Sequence, residues 1–155
     1  MSMQQTPVAP ITGRETLGKL DEPIHALAEF YRAFNERDLG LMAENWANSA
    51  DVAMDNPLGG IMRGWQQIQS VYERIFQGKA RVQVEFYDYT LDVIGDAFYA
   101  VGRERGTFES GTRKLDLAIR TTGIFRRLGD RWRQVHHHGS IDDPRLLAAY
   151  QQAVR

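Results

Sequence analysis

The chain reads as an α+β domain: a cone-shaped, curved antiparallel sheet of about six strands wrapped around an N-terminal helix, with three to four helices in all. Three observations predict it. Apolar residues recur at helical spacing through the first half, the period changes to two at Ala80 and stays there, and glycine-bearing pairs punctuate the second half at hairpin intervals. Helices followed by a meander of long strands is the pattern in which helices gather on one side of an antiparallel sheet. A chain of 155 residues fits one domain with a sizeable core.

Taken in order, residues 1–20 mix Gln, Thr, Pro and Gly without periodicity and read as a mobile leader, with the single domain occupying 21–155. Asp21 is the expected N-cap of the first helix and Pro23 lies in its first turn. Ile24, Leu27, Ala28, Tyr31 and Phe34 then form one stripe, to about Arg37. Asp38-Leu39-Gly40 breaks that helix, and Leu41 to Trp46 reads as a short second one. Asp51 to Asp55 alternates like a strand, and Asn56-Pro57-Leu58-Gly59-Gly60 is a turn. Trp65, Ile68, Tyr72, Ile75 and Phe76 mark a third helix that Gly78 stops. Val82 to Ile94, Ala97 to Phe108, Thr112 to Leu128 and Arg131 to Asp142 are four strands, separated by Gly95-Asp96, Glu109-Ser110-Gly111 and Gly129-Asp130. Pro144 to Arg155 reads as a C-terminal helix.

Composition narrows the function. With 19 basic and 20 acidic residues the net charge is -1, which gives no general attraction to nucleic acid or to an anionic membrane. Arg126, Arg127, Arg131 and Arg133 surround a hairpin tip and read as a solvated face. There is no cysteine, hence no disulfide, no thiolate nucleophile and no cysteine zinc site. No stretch approaches the roughly 20 apolar residues of a membrane span, and no signal peptide is visible, so a soluble cytoplasmic protein is expected. Phosphate-loop, nucleophile-elbow, zinc-protease and dinucleotide motifs are absent, and no cofactor is implied.

The stretch richest in chemistry is Arg131-Trp132-Arg133-Gln134-Val135-His136-His137-His138-Gly139-Ser140. Successive strand side chains point to opposite faces, so the three histidines cannot share one site. Either His136 and His138 look inward, or His137 does. His-x-His alone is a weak metal signal that wants a third ligand, and no metal is expected.

The order of elements from Asp21 to Asp142 resembles the nuclear transport factor 2-like (SnoaL-like, ketosteroid-isomerase-like) superfamily. More narrowly, Trp132 to Ser140, with Ala100-Val101-Gly102-Arg103 upstream, is similar to the association (hub) domain of calcium/calmodulin-dependent protein kinase II. In the steroid isomerases of this superfamily an Asp removes a proton while a Tyr and a protonated Asp form the oxyanion hole. The resemblance sets those positions at Asn56, Phe30 (next to Tyr31) and Thr121, so that acid/base set is lost here. An amide cannot take up the proton. Asp55 is adjacent but points to the other face of a regular strand.

The same resemblance, with the apolar run Leu115, Leu117, Ile119, Thr121, Gly123 and Phe125, turns that face inward, together with Val135, His137, Gly139 and Ile141. It also turns Val101 and Arg103 inward. The expected pocket is lined by Tyr31, Phe34, Trp46, Asn56, Trp65, Val101, Leu117, Ile119 and Thr121, with Arg103 and His137 as polar groups and His137 as the catalytic candidate. His136, His138 and Ser140 fall on the outer face, where the resemblance implies a homo-oligomer, at least a dimer. The leading expectation is a domain binding a small apolar molecule with an anionic or carbonyl end. The alternatives are an enzyme of the polyketide cyclase, dehydratase or isomerase kind, and a non-catalytic assembly module.

Overall fold

Three glycines in left-handed backbone make the meander possible: Gly95, Gly111 and Gly129 have φ of 60°, 62° and 68°. Each opens a two-residue turn, a geometry in which positive φ matches the twist of the flanking strands. They separate β3 (Arg81–Ile94), β4 (Ala97–Ser110), β5 (Arg113–Leu128) and β6 (Arg131–Ser140) in the computed structural model, which describes residues 9–154. Ahead of these come α1 (Pro23–Asn35), α2 (Leu39–Asn45), β1 (Ala53–Asp55), β2 (Ile61–Arg63) and α3 (Trp65–Gln77), and α4 (Pro144–Ala153) follows. The six strands form one sheet in the order β2-β1-β6-β5-β4-β3. The expected architecture is present, with one amendment. β1 pairs with β6 in parallel, so the sheet is mixed, not purely antiparallel.

A bulge in the β3–β4 pair contributes to the curvature. The pairing of Tyr87 with Arg103 and of Thr90 with Val101 leaves an extra residue on β3, and Asp88 there takes φ 49°. Such a bulge bends and twists its strand. Gly102 opposite it and Gly106, paired with Val84, admit the close approach of the two strands: a Cβ at Gly106 would lie 1.8 Å from the Gln83 carbonyl oxygen, and one at Gly102 would lie 2.6 Å from Tyr89 Cβ. The sheet therefore wraps α1 instead of lying flat against it.

The N-cap of α1 is Glu22, not Asp21, and it makes no side-chain cap; the Asp21 carbonyl accepts a hydrogen bond from the Trp132 indole at 2.8 Å. Asp38 does cap α2, accepting from the Leu41 amide at 3.0 Å. α1 buries Ala26, Leu27, Ala28, Phe30, Tyr31 and Ala33 against the sheet, while Ile24 at the expected stripe's start is exposed. Trp46, Trp65 and Tyr72 pack together, the two indoles stacked 6.3 Å apart. None of the helices among the described residues is long and apolar enough to cross a membrane.

The expectation of a mobile leader over residues 1–20 needs correction for its second half; residues 1–8 lie outside the described ones. Ile11 is 3 % exposed and exchanges two backbone hydrogen bonds with Phe86, at 2.8 and 2.9 Å. Gly13, at φ 84°, lies against the backbone of Arg32, and the Leu20 carbonyl accepts from the Trp132 amide. One apolar residue and one positive-φ glycine thus dock a segment that has no periodicity to announce it. Truncating the anchor tests this: Ile11→Ala is expected to lower unfolding free energy by about 2–4 kcal/mol in urea titration. A loss below about 0.5 kcal/mol, the range of an exposed substitution, would mean that the segment is not docked.

Candidate functional site

Helix α1, the β1–β2 loop, α3, the sheet and α4 enclose a cavity of ≈ 550 Å³. Its walls are largely hydrocarbon: Phe30 and Phe34 from α1, Val71, Tyr72 and Ile75 from α3, Val82 and Val84 from β3, Leu117 and Ile119 from β5. Two ionisable groups stand at its buried end, Glu104 of β4 and His137 of β6, 7 % and 9 % exposed. His137 Nε2 lies 3.8 Å from Glu104 Oε2. The Tyr31 hydroxyl donates to the same carboxylate oxygen at 2.6 Å, and the His137 ring packs on Phe30 with centroids 4.7 Å apart.

Strand parity explains which groups arrive here. On β4 the inward set is Phe98, Ala100, Gly102, Glu104, Gly106 and Phe108, small or apolar throughout except for one carboxyl. The outward set contains Val101, Arg103 and Arg105. Arg103 therefore does not enter the cavity; its side chain is 51 % exposed and pairs with Asp88 at 3.4 Å. Desolvating a guanidinium without a partner costs more than solvating it, so the face with the small residues turns inward. Val101 is likewise outside and 44 % exposed. Glu104 is the residue the sequence reading missed, though the lone charge on an otherwise apolar parity set marks it.

The other expected lining residues divide. Phe34, Asn56, Leu117, Ile119 and His137 line the cavity. Asn56 spends its side-chain oxygen on the Leu58 amide, at 2.8 Å, and shapes the loop. Tyr31 lies behind Phe30 and reaches only Glu104; Trp46 and Trp65 belong to the core; Thr121 is buried on the inner face beside Glu104, short of the cavity wall, and its hydroxyl lacks a hydrogen-bond partner. Val135 is the extra residue of a bulge in β6, since Phe125 pairs with Gln134 and Ile124 with His136. It is only half-buried, and Trp132 and Gln134 take the inward positions before it. His136, His138 and Ser140 stand on the outer face.

Gln134 begins a buried chain that fixes the chemistry of His137. Arg131 Nη2 donates to Glu29 Oε1 at 2.5 Å; Asn45 Nδ2 donates to the same oxygen at 2.9 Å and to the Ala26 carbonyl at 2.8 Å. Asn45 Oδ1 must then accept, and does so from Gln134 Nε2 at 3.1 Å. Gln134 Oε1 in turn faces His137 Nδ1 at 3.0 Å. Arginine can only donate, so the order of donors and acceptors is settled from that end. His137 must carry its proton on Nδ1, leaving the Nε2 lone pair toward Glu104 and the cavity.

Low polarity sets both protonation states. Burial raises the Glu104 carboxyl from 4.5 to about 7, opposed by the hydrogen bond from Tyr31 and the nearby Thr121 hydroxyl. Burial, with the adjacent His136 and His138, lowers His137 to about 3. Between about pH 3 and pH 7 the cavity thus offers a carboxylic acid as donor and a neutral imidazole as acceptor; at pH 7 about half of Glu104 is still protonated.

The Glu104 shift is a statement about stability. Its folded pKa exceeds its unfolded one, so its contribution is fully present below about 4.5 and is lost as pH rises toward 7. Between pH 5 and pH 8 the wild-type chain is expected to lose stability on the order of 3 kcal/mol from this group. Glu104→Gln should remove that falling limb in urea titrations across the range. Parallel profiles for the two proteins would show that Glu104 is not the buried acid.

Comparison with known proteins gives the lineage of this arrangement. Residues 24–144 match the SnoaL-like domain family. An F-box protein of Arabidopsis thaliana, SKIP8, is 21 % identical over 150 residues, which cover 94 % of this chain and 62 % of that protein, so this chain spans less than two thirds of it. Among solved structures, a Thiobacillus denitrificans protein provisionally described as a calcium/calmodulin-dependent protein kinase type II association domain is 28 % identical. It superposes with a TM-score of 0.66 over 83 % of this chain and 100 % of its own. A Streptomyces avermitilis protein of the NTF2-like family, provisionally described as a dehydratase, is 23 % identical with a TM-score of 0.68, covering 74 % of this chain and 89 % of that one. The chain belongs to the SnoaL-like domain family and carries its nuclear transport factor 2-like fold.

Proposed function

We propose that the cavity binds a small, largely apolar molecule carrying one carbonyl or hydroxyl group, and that Glu104 and His137 move a proton on it. One observation carries this reading: two ionisable side chains of opposite protonation preference meet 3.8 Å apart at the buried end of an otherwise apolar cavity of ≈ 550 Å³. The Glu104 acid donates to the ligand oxygen, and the His137 Nε2 lone pair accepts a proton from the adjacent carbon. Acid and base acting together on a ketone give its enol; with a β-hydroxyl as leaving group the same pair gives dehydration. Glu104 takes the stabilising role expected of Arg103. A neutral head group suits this end, because ionised Glu104 would repel an anion. An anionic tail fits only the rim, where Arg74 and Lys79 border the opening.

A homo-oligomer, at least a dimer through the outer sheet face, belongs to the same proposal. Val101 at 44 % exposure, with His136, His138 and Ser140 on that face, supports it, as does the association-domain description of the 28 % identical structure. The lack of cysteine suits a reducing compartment, and the cytoplasm is the proposed setting. Native mass measurement should give at least twice the 17.7 kDa chain mass. A monomer at high concentration removes the oligomer from the proposal.

The pocket reading is tested with a panel of alicyclic and aryl ketones in deuterated water, followed by proton NMR. Line broadening reports binding and loss of the α-proton signal reports exchange. A subset should bind and exchange, with His137→Gln slowing exchange by about 10²-fold or more and Glu104→Gln also slowing it. Binding without exchange in the wild type would reduce the protein to a binding module. If no ketone binds, the pocket assignment fails.

A further inference from the structure

We propose that Asp55, His136 and His138 form a site for a divalent transition metal, Zn²⁺ in the first instance, on the outer face of the sheet. The parallel pairing of β1 with β6 sets Ala53 beside His136 and Asp55 beside His138. Parity then sends all three side chains to the same face, and their ligand atoms lie within 4.8 Å of one another. The third ligand that a His-x-His strand lacks comes from the neighbouring strand.

Details of the geometry fit ligation. His136 Nδ1 donates to the Ala53 carbonyl at 2.8 Å, which fixes the ring and leaves Nε2 as a lone-pair donor. Metal-binding histidines are commonly held this way, with the non-ligating nitrogen on a backbone carbonyl. His138 Nδ1 stands 3.1 Å from Asp55 Oδ2. Zinc–ligand bonds of about 2.0–2.2 Å in tetrahedral array place donors roughly 3.3 Å apart, so this pair is already near its liganded separation. The His138 side chain is 49 % exposed, which leaves room for the ligand atoms to draw closer. One carboxylate and two neutral imidazoles suit a borderline divalent ion better than Mg²⁺ or Ca²⁺, which prefer oxygen.

An ion has a way in and a place for a further ligand. His138 borders an outer groove of ≈ 480 Å³ with Thr122 and Ser140, open to water. A hydrogen bond between His138 and Asp55 would explain that pair alone; it does not account for a ring nitrogen of His136 within 4.8 Å of both. His137, between the two histidine ligands, faces the other way into the cavity, and Asp55 is the one ligand residue that also borders the cavity. The metal site does not rest on the proton-transfer reading, but it shares His136 and His138 with the face proposed for pairing.

The test uses the full chain without a histidine tag, titrated with Zn²⁺ by calorimetry and with Co²⁺ by visible absorption. One ion per chain should bind with saturable, micromolar or better affinity, Co²⁺ should develop the d–d bands of a low-coordinate site, and Zn²⁺ should raise Tm. His136→Ala, His138→Ala and Asp55→Asn should each weaken binding at least about tenfold, while His25→Ala should not. Circular dichroism checks that each variant is folded. The proposal is overturned by non-saturable binding, by variants that bind like the wild type, or by half an ion per chain, which would mean that ligands come from two copies.

Discussion

Glu29 on α1 and Arg131 at the start of β6 form the ion pair on which the polar half of the interior depends. Glu29 is 2 % exposed, and an unpaired carboxylate at that depth would cost several kcal/mol. Arg131, 12 % exposed, supplies the counter-charge and ties the last strand to the first helix. Asn45 and Gln134 then carry an unbroken run of hydrogen bonds from the pair to His137, joining α1, α2 and β6. Half-satisfied networks of this kind are worse than an apolar core; a complete one admits a single arrangement. That arrangement reaches the cavity as a histidine with a defined tautomer.

The same low dielectric acts with opposite signs on the two groups at the cavity's end. It favours the neutral form of each, raising the acid and lowering the base. A carboxylate–imidazolium pair is consequently disfavoured, even though the atoms are 3.8 Å apart. The separation exceeds a direct hydrogen bond, so neither group is consumed by the other. Donor and acceptor both stay available to a third party. An apolar ligand that enters displaces water without having to overcome a fixed charge, which is why the proposed substrate is neutral where it meets them.

Much of the fold was legible because periodicity is a property of the backbone. The switch to period two at Ala80, the glycine-bearing turns and the helical stripes correspond to the observed elements within a few residues. The site was legible only in part. Leu117 and Ile119 follow from alternation on a regular strand and His137 from the resemblance, whereas Arg103 was turned inward by the same resemblance against the alternation of its own strand. Phe98, Ala100, Gly102, Gly106 and Phe108 already identified the inner face, and Glu104 lies among them. Asn45, Gln134, Glu29 and Arg131 could not be linked beforehand, because their contacts span 16 to 102 positions in sequence. Ile11 was lost for a related reason: a single docked residue has no period.

The bulge at Val135 governs how the three histidines are used. In a regular strand Gln134 and His137 would face opposite sides, being three residues apart. The extra residue restores them to one face, where the amide oxygen of the first meets the ring nitrogen of the second. Were β6 regular from Gln134 onward, His136 and His138 would enter the cavity and His137 would face out, leaving two imidazoles where Glu104 now finds one. The bulge thus allows one strand to serve two surfaces, with Trp132, Gln134, His137 and Gly139 inside and His136, His138 and Ser140 outside. Parallel pairing with β1 completes the division by setting Asp55 beside His138. An inserted residue that changes the phase of a strand is worth more to this site than any single side chain in it, because it decides which chemistry each side receives.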